Sequence, residues 1–263
     1  MLIGAHVSIA GDLLNALRQA QKFNLNCLQI FSSPPRNWQG PHYSPKILTN
    51  FRQLAKKFRI KPIFVHAKYL INLSSEDLLI QKKSIASLSE DLLFAHAIGS
   101  AGVIFHPHAQ NQINLVQNIL RILNQSSAGT FLILENSAQI HLDVIGSIIQ
   151  KVNHPRLKFC LDTAHLFEAG YDLNNPAVRK NVLVEIDQQI GLANWLVIHA
   201  NNSQTKIDSH HDHHANLKEG LLKPDVFTFF LNHPFSQRLP FILETPDNLN
   251  DTSILPQLKT PSQ

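Results

Sequence analysis

The sequence predicts a single-domain (β/α)₈ TIM barrel with a metal site at the C-terminal ends of its strands. Three observations carry that expectation. Short apolar runs alternate with longer amphipathic ones along all 263 residues, the pattern of repeated strand-helix units and a parallel sheet. The chain length matches the ~250 residues usual for eight such units. The runs are apolar on both faces, which suits strands covered on both sides.

The eight strand candidates are Leu2–Val7, Cys27–Phe31, Pro62–Val65, Gly102–Phe105, Phe131–Leu134, Leu157–Leu161, Trp195–Ile198 and Leu239–Leu243. Helical spacing follows between them, as from Gly11 through Leu13, Leu14 and Leu17 to Phe23. Another helix is expected over Ser74–Ile98, with Glu76 and Asp77 in its first turn. Gly99, Gly129 and Gly191 stand where such helices should stop. A doubly wound open sheet is the competing fold, but HVSIAGDL after the first run carries neither GxGxxG nor GxxxxGK[ST]. Without linkers or low-complexity tracts, residues 1–263 are expected to form one domain.

Composition narrows the class further. Hydrophobic residues make up 44% and charged residues 16%, enough for a real core. No apolar run reaches the ~18 residues of a membrane helix, and Met1 opens into LIGAHVS without a secretory leader pattern; a soluble cytoplasmic protein is expected. Cys27 and Cys160, the only two cysteines, lie in separate apolar runs, which excludes a disulfide framework and a thiolate zinc site.

In a barrel the chemistry gathers where the strands end. The third run ends at His66, the fourth at His106, the fifth at Glu135, the sixth at Asp162 with His165 beyond it, the seventh at His199 and the eighth at Glu244. Any one of these could be a hydrogen-bonded histidine or a solvated acid, but six consecutive strands presenting such residues to one rim indicate a metal site. Oxygen and nitrogen donors without thiolate suit zinc, manganese, iron or magnesium, and the share of imidazole favours zinc or another transition ion. The loop SHHDHHANLKEG adds His210, His211, Asp212, His213 and His214. In it Asp212 and His214 point the same way on an extended segment. Formal net charge is +4; with Glu135, Asp162, Asp212 and Glu244 set aside as ligands, 23 basic residues face 15 acidic ones, about +8, which fits a polyanionic partner.

Several segments carry a family resemblance: GAHVS at Gly4–Ser8, HAKYLINL at His66–Leu73, FHP at Phe105–Pro107, LENSA at Leu134–Ala138 and CLDTAHLFEAGYDL at Cys160–Leu173. To these are added the H-x₁₂-D-x-H spacing from His199 to Asp212 and His214, and LETP at Leu243–Pro246. Together they resemble endonuclease IV, the zinc-dependent apurinic/apyrimidinic endonuclease, across essentially the whole chain. The resemblance implies three zinc ions: one held by His66, His106 and Glu135, a second by Glu135, Asp162, His199 and Glu244, a third by His165, Asp212 and His214. It makes Glu135 the bridging catalytic carboxylate, and duplex DNA containing abasic sites the partner of a monomeric enzyme that cuts 5′ to the lesion.

Two further segments match the family's DNA-handling loops. FSSPPRNWQG places Arg36 and Trp38 after the second strand, and HAKYL places Tyr69 and Leu70 past the first ligand. The resemblance implies that such residues wedge into the duplex, although Trp38 and Leu70 could equally pack their own loops. Lys68 and His6 could contact phosphate or support the rim.

The sequence departs from the family at Asn202 and Gln204, where an aspartate and a lysine are usual, and at Gln110, which replaces a histidine. His213 stands for an arginine, Lys218 for a glycine, and the glycine-rich stretch after ENSA is absent. Two alternatives follow: a xylose-isomerase-like sugar or sugar-phosphate isomerase, or a catalytically inactive metal- or DNA-binding relative.

Overall fold

A computed structural model describes residues 1–126 and 129–259. Eight parallel strands make the barrel: β1 (Leu2–Ala5), β2 (Leu28–Phe31), β3 (Ile63–His66), β4 (Gly102–Phe105), β5 (Phe131–Glu135), β6 (Leu157–Asp162), β7 (Trp195–His199) and, after a small ribbon, β10 (Pro240–Leu243). They neighbour one another in the order β1-β10-β7-β6-β5-β4-β3-β2. The ring is joined between β1 and β2 by a parallel bridge from His6 to Gln29 and by the Val7 N–H donating to the Gln29 carbonyl at 2.8 Å. At this seam Gly4 is obligatory, because a Cβ there would lie 2.3 Å from the Cys27 carbonyl oxygen.

The eight expected runs are the eight barrel strands, with ends shifted by one or two residues. His66, Glu135, Asp162 and His199 fall inside their strands, since each still takes part in the ladder: Asp162 pairs with His199, and Glu135 with Cys160. The ladder therefore fixes the backbone of these four residues as well as their side-chain direction.

The helices form the outer layer. α1 (Leu13–Lys22) buries Leu13, Ala16, Leu17 and Ala20, a one-face stripe of period 3.6, and starts at Asp12, whose carboxylate accepts the Leu14 N–H. α2 (Pro45–Phe58) and α3 (Leu78–Ile98) follow. α3 begins later than expected, at Leu78: Asp77 is not in the first turn but caps it, accepting from Leu79 and Ile80 N–H, and Glu76 lies before the helix. Gly99 ends α3 in the left-handed region at φ 74°, as anticipated. Gly129 does not end a helix, because α4 (Gln112–Gln125) is already closed at Ser126. α5 (Leu142–Val152) and the short α6 (Thr163–Glu168) precede α7 (Pro176–Glu185), whose π-helical continuation Ile186–Ile190 ends at Gly191. α8 (Pro224–Asn232) lies between the ribbon and β10.

Two cores result. The large one lies between strands and helices. The small one fills the barrel lumen with Cys27, Phe64, Ile104, Ile133, Cys160, Val197 and Ile242. Both cysteines are free and buried there, with burial pushing the Cys160 thiol up to about 12. Among the described residues no helix is long and apolar enough to cross a membrane.

Candidate metal centre

Side chains alternate along a strand with period two. Counting two residues onward from each lumen residue therefore gives the next inward-facing position: Gln29, His66, His106, Glu135, Asp162, His199 and Glu244. An apolar floor is thus followed at once by a layer of polar side chains, most of them able to ligate a metal. Six of those seven positions were expected from the sequence; Gln29 was not.

Glu135 stands at the centre, wholly buried. Its two oxygens face different partners. Oε2 lies 3.3 Å from His66 Nε2 and 3.0 Å from His106 Nε2, whereas Oε1 lies 2.9 Å from His199 Nδ1. His199 Nδ1 is in turn 3.1 Å from Glu244 Oε2 and 3.8 Å from Asp162 Oδ2. Burial acts to raise the Glu135 carboxyl, yet the facing His199 and His106 hold it well below its ordinary value. Glu244 is held low in the same way, against burial, by His199 and His6.

A third group has nearly equal edges. His165 Nε2, His214 Nε2 and Asp212 Oδ1 are separated by 3.3, 3.4 and 3.5 Å. Asp162 links this group to the others through its two oxygens. Its Oδ1 caps α6 by accepting the His165 N–H at 3.0 Å, which orients His165, while Oδ2 faces His199 and lies 3.7 Å from His214 Nε2. His214 arrives from the loop because Asn202–Ser203 (β8) and His214–Ala215 (β9) form an antiparallel ribbon.

These residues fit metal ions. Zinc binds nitrogen and oxygen donors at ~2.0–2.2 Å, so neighbouring donors around one tetrahedral ion are separated by about 3.3–3.6 Å; the observed edges bracket that range. The histidines are also arranged as ligands. His66 Nδ1 donates to the Ala67 carbonyl at 2.8 Å, His165 Nδ1 to the Asn136 carbonyl at 2.9 Å and His199 Nε2 to Gln29 Oε1 at 2.8 Å. With the outer nitrogen of each ring so occupied, the inner nitrogen is turned toward a carboxylate or another imidazole, the position from which a ring can ligate a shared cation. The sets His66/His106/Glu135, Glu135/Asp162/His199/Glu244 and Asp162/His165/His214 each hold their donor atoms within 4.8 Å of one another.

The supporting residues were less visible in the sequence. Gln29, wholly buried, donates to Glu244 Oε1 at 2.5 Å while accepting from His199. Asn201 donates to Asp162 Oδ2 at 2.6 Å and accepts the Glu244 N–H at 2.8 Å. Asn136 exchanges two bonds with the Asp162 backbone. The signal for Gln29 was a lone polar residue in the apolar run LQIF, two residues after Cys27. His6 supports the rim through Glu244 at 3.1 Å. Lys68 does the same by another route: buried, it donates to Ser87 Oγ at 2.9 Å and Asp91 Oδ1 at 3.2 Å, and the same Asp91 oxygen accepts from Ser32. This pair ties the loops after β2 and β3 to α3.

Not every candidate joins the cluster. Tyr69 does: it is 59% exposed, lines a rim cavity of about 430 Å³ with His66, His106, Asp212 and Glu244, and meets Phe31 edge-on at 5.5 Å. Its hydroxyl is raised to about 12 by burial and by Glu244, Asp212 and Glu135, with Arg36 acting in the opposite sense. Arg36 is exposed, and Leu70 is partly so. Trp38 is half-buried against the core in a separate groove with Tyr43 and Phe94, its ring 5.9 Å from Lys83 Nζ, and is not among the residues that line the rim cavity. His210 hydrogen-bonds the Ala138 carbonyl and pairs with Asp208, and His211 is exposed; neither belongs to a donor set.

The altered positions have structural roles. Asn202 is fully buried, donating to the Leu217 and Leu222 carbonyls and accepting the Leu222 and Ser203 N–H groups. Gln204 extends the ribbon by bonding the His213 and His214 carbonyls.

Residues 17–258 match the family model described as the xylose isomerase-like TIM barrel. The chain is 34% identical over 260 residues to a probable endonuclease 4 of Halothermothrix orenii, covering 94% of each chain. Endonuclease IV from Thermus thermophilus superimposes with a TM-score of 0.89 at 30% identity, covering 98% of this chain and 97% of that one. A xylose isomerase domain protein from Planctomyces limnophilus, at 17% identity and a TM-score of 0.71 over 97% and 94% of the two chains, shares the fold alone.

Proposed function

This chain belongs to the endonuclease IV family, within the xylose isomerase-like TIM barrels, and on that premise we propose that it is a metal-dependent apurinic/apyrimidinic endodeoxyribonuclease. In this reading residues 1–263 act as one monomeric domain in the cytoplasm on duplex DNA with a missing base. The phosphodiester on the 5′ side of the lesion is hydrolysed: a water oxygen joins phosphorus, the bond to O3′ breaks, and O3′ takes a proton to leave a 3′-hydroxyl.

The observation that carries the reading is the division of Glu135, one oxygen toward His66 and His106 and the other toward His199. A buried carboxylate divided in this way is suited to hold two cations a fixed distance apart. His66, His106 and Glu135 would hold one zinc ion, Glu135, Asp162, His199 and Glu244 a second, and His165, Asp212 and His214 a third. Zinc held there would lower the pKa of water toward ~7, neutralise phosphate oxygens and stabilise the leaving alkoxide. The chain's own residues supply the geometry. Gln29, Ala67 and Asn136 fix three imidazoles, Asp162 couples β6 to the second and third sets, and the apolar floor closes the site from beneath. Tyr69 and Leu70, with Arg36 in electrostatic reach of Tyr69, would enter the duplex at the lesion and test for the missing base.

Lys68, the lysine beside the first ligand and the natural proton carrier for an isomerase, is already committed to a buried pair with Asp91, and none of the expected ligand positions of a three-ion nuclease is vacant in the sequence. Metal analysis of purified protein, paired with incision of a duplex bearing one abasic analogue, tests the proposal. Two or three tightly held ions per chain and cleavage 5′ to the analogue are expected. Sugar isomerisation without incision would replace this reading with the isomerase, and metal-loaded protein without either activity would leave the inactive binder.

A further inference from the structure

Glu168 ends α6 three residues after His165, within the motif CLDTAHLFEAGYDL, and the metal sets described so far do not use it. It is wholly buried. One oxygen is fully engaged: Oε1 accepts from Ser203 Oγ at 2.6 Å, Thr205 Oγ1 at 3.3 Å and the His213 N–H at 3.3 Å. All three donors belong to the segment that delivers Asp212 and His214. The other oxygen, Oε2, is buried and has no hydrogen-bond partner among the described residues. A buried carboxylate oxygen without a partner is costly. Glu168, His165 and Asp212 nevertheless form a potential donor set whose ligand atoms lie within 4.8 Å of one another. On a helix, positions three apart share a face, which places this acid beside His165 for the same cation.

We infer that Glu168 is a further carboxylate of the third ion's site, holding the ligand loop through Oε1 and offering Oε2 to the cation. The inference rests on the metal reading of the rim and adds a residue to it. Asp212 is 53% exposed in its side chain, so Coulombic attraction from it is screened by water. Glu168 is wholly buried, so an attraction between it and a cation is screened less. A site of two imidazoles with two carboxylates holds its ion more tightly than one with a single exposed acid, and accepts harder ions such as manganese more readily.

The test measures metal. Wild type, Glu168→Gln and the double variant Ser203→Ala/Thr205→Val are loaded with zinc, and the affinity of the most weakly held ion is read by chelator competition, with ions per chain counted by elemental analysis. Glu168→Gln keeps an oxygen acceptor for the loop and removes the charge. It should weaken that one ion roughly 10- to 100-fold and leave the others in place. The hydroxyl variant keeps the carboxylate and removes only the bonds that steady it, so it should weaken the ion clearly less than Glu168→Gln does. If Glu168→Gln does not fold, Glu168→Asp, which withdraws the carboxylate by one methylene, should show the same selective weakening. Unchanged affinity in the folded acid variant, or equal weakening in the hydroxyl variant, would overturn the inference while leaving the nuclease reading intact. Wild-type protein that holds no tightly bound ion would overturn both.

Discussion

The lumen of the barrel and the rim above it are built from the same strands, one inward-facing position apart, and they obey opposite rules. Ile133 and Glu135 are successive inward residues of β5, Cys160 and Asp162 of β6, Val197 and His199 of β7. Below, each side chain gains by leaving water and needs no specific partner. Above, every side chain is polar and most are just as buried, tolerable because a second residue meets each: Gln29 for His199, Asn136 for His165, Asn201 for Asp162. The floor makes the rim possible. It excludes water from beneath, so the carboxylates and imidazoles interact in a medium where their attraction for a cation is strong. Stability should therefore reside mainly in the lower layer and chemistry in the upper.

The largest expected effect is at Glu135. Glu135→Gln should lower single-turnover incision by roughly 10³-fold or more, about 4 kcal/mol of barrel-rim chemistry, while abasic-duplex binding in a gel shift changes only a few-fold. Parallel loss of rate and binding would make it a structural residue and blur the division between the layers. One position below, Ile133→Ala should do the reverse. It leaves a cavity in a packed lumen and should cost roughly 3 kcal/mol, within the usual 2–5, in urea unfolding of metal-loaded protein, with turnover of the folded fraction nearly unchanged. Abolished incision at unchanged stability would show that the floor has a catalytic role of its own.

Between these lies the boundary residue Gln29. Gln29→Leu removes the acceptor that fixes the His199 ring and should weaken the ion shared by Glu135, His199 and Glu244 about 10- to 100-fold in chelator titrations. If affinity is unchanged, ring orientation is set by packing alone. Removal of the ions themselves follows the same logic. Activity should survive chelation of free magnesium and decline slowly with strong chelators, in step with zinc loss, because His66, Glu135, Asp162, His165 and His199 are buried. Full activity in protein carrying fewer than two ions would refute that account.

The same contrast explains what was legible beforehand. Strands covered on both faces read as apolar runs, so all eight barrel strands could be placed, and a ligand at the end of such a run stands out against it. His66, Glu135 and Asp162 are conspicuous for that reason. Gln29 is not, because one amide inside LQIF reads as a tolerated polar residue until the ring closes and brings β7 and β10 to it. Glu168 is hidden similarly: its partners are Ser203, Thr205 and His213, more than thirty positions away. Trp38 is a different case: a tryptophan on a loop suggests recognition, and it lies in a groove with Tyr43 and Phe94, beside Lys83 and apart from the rim cavity. Local capping also shifted one boundary, since Asp77 serves α3 better as an acceptor before the helix than within it.

The smallest expected effect lies outside both layers, at the loop after β3, and it tests whether recognition is separable from the rim. Tyr69 projects from the rim cavity with more than half its surface exposed, and Leu70 follows it. Lys68, one residue earlier, is fastened to α3 through Asp91, so the tip is held at a fixed height above the ligands. Opening a duplex where a base is already missing costs less than unstacking an intact pair, and on the proposed reading a rigid aromatic tip would convert that difference into preference. General attraction would come from a different source, the basic excess, and would depend on salt with a log slope near −0.9 for each phosphate neutralised. Changing Tyr69 and Leu70 together to alanine should thus reduce the preference for abasic over intact duplex about tenfold, roughly 1.4 kcal/mol, while the salt slope and the number of bound ions stay as in wild type. Competition binding at several salt concentrations measures both quantities at once. A double variant that discriminates as well as wild type would move recognition from this loop to the rim itself. A wild-type protein with neither salt dependence nor abasic preference would remove the nuclease reading and return the barrel to the isomerases.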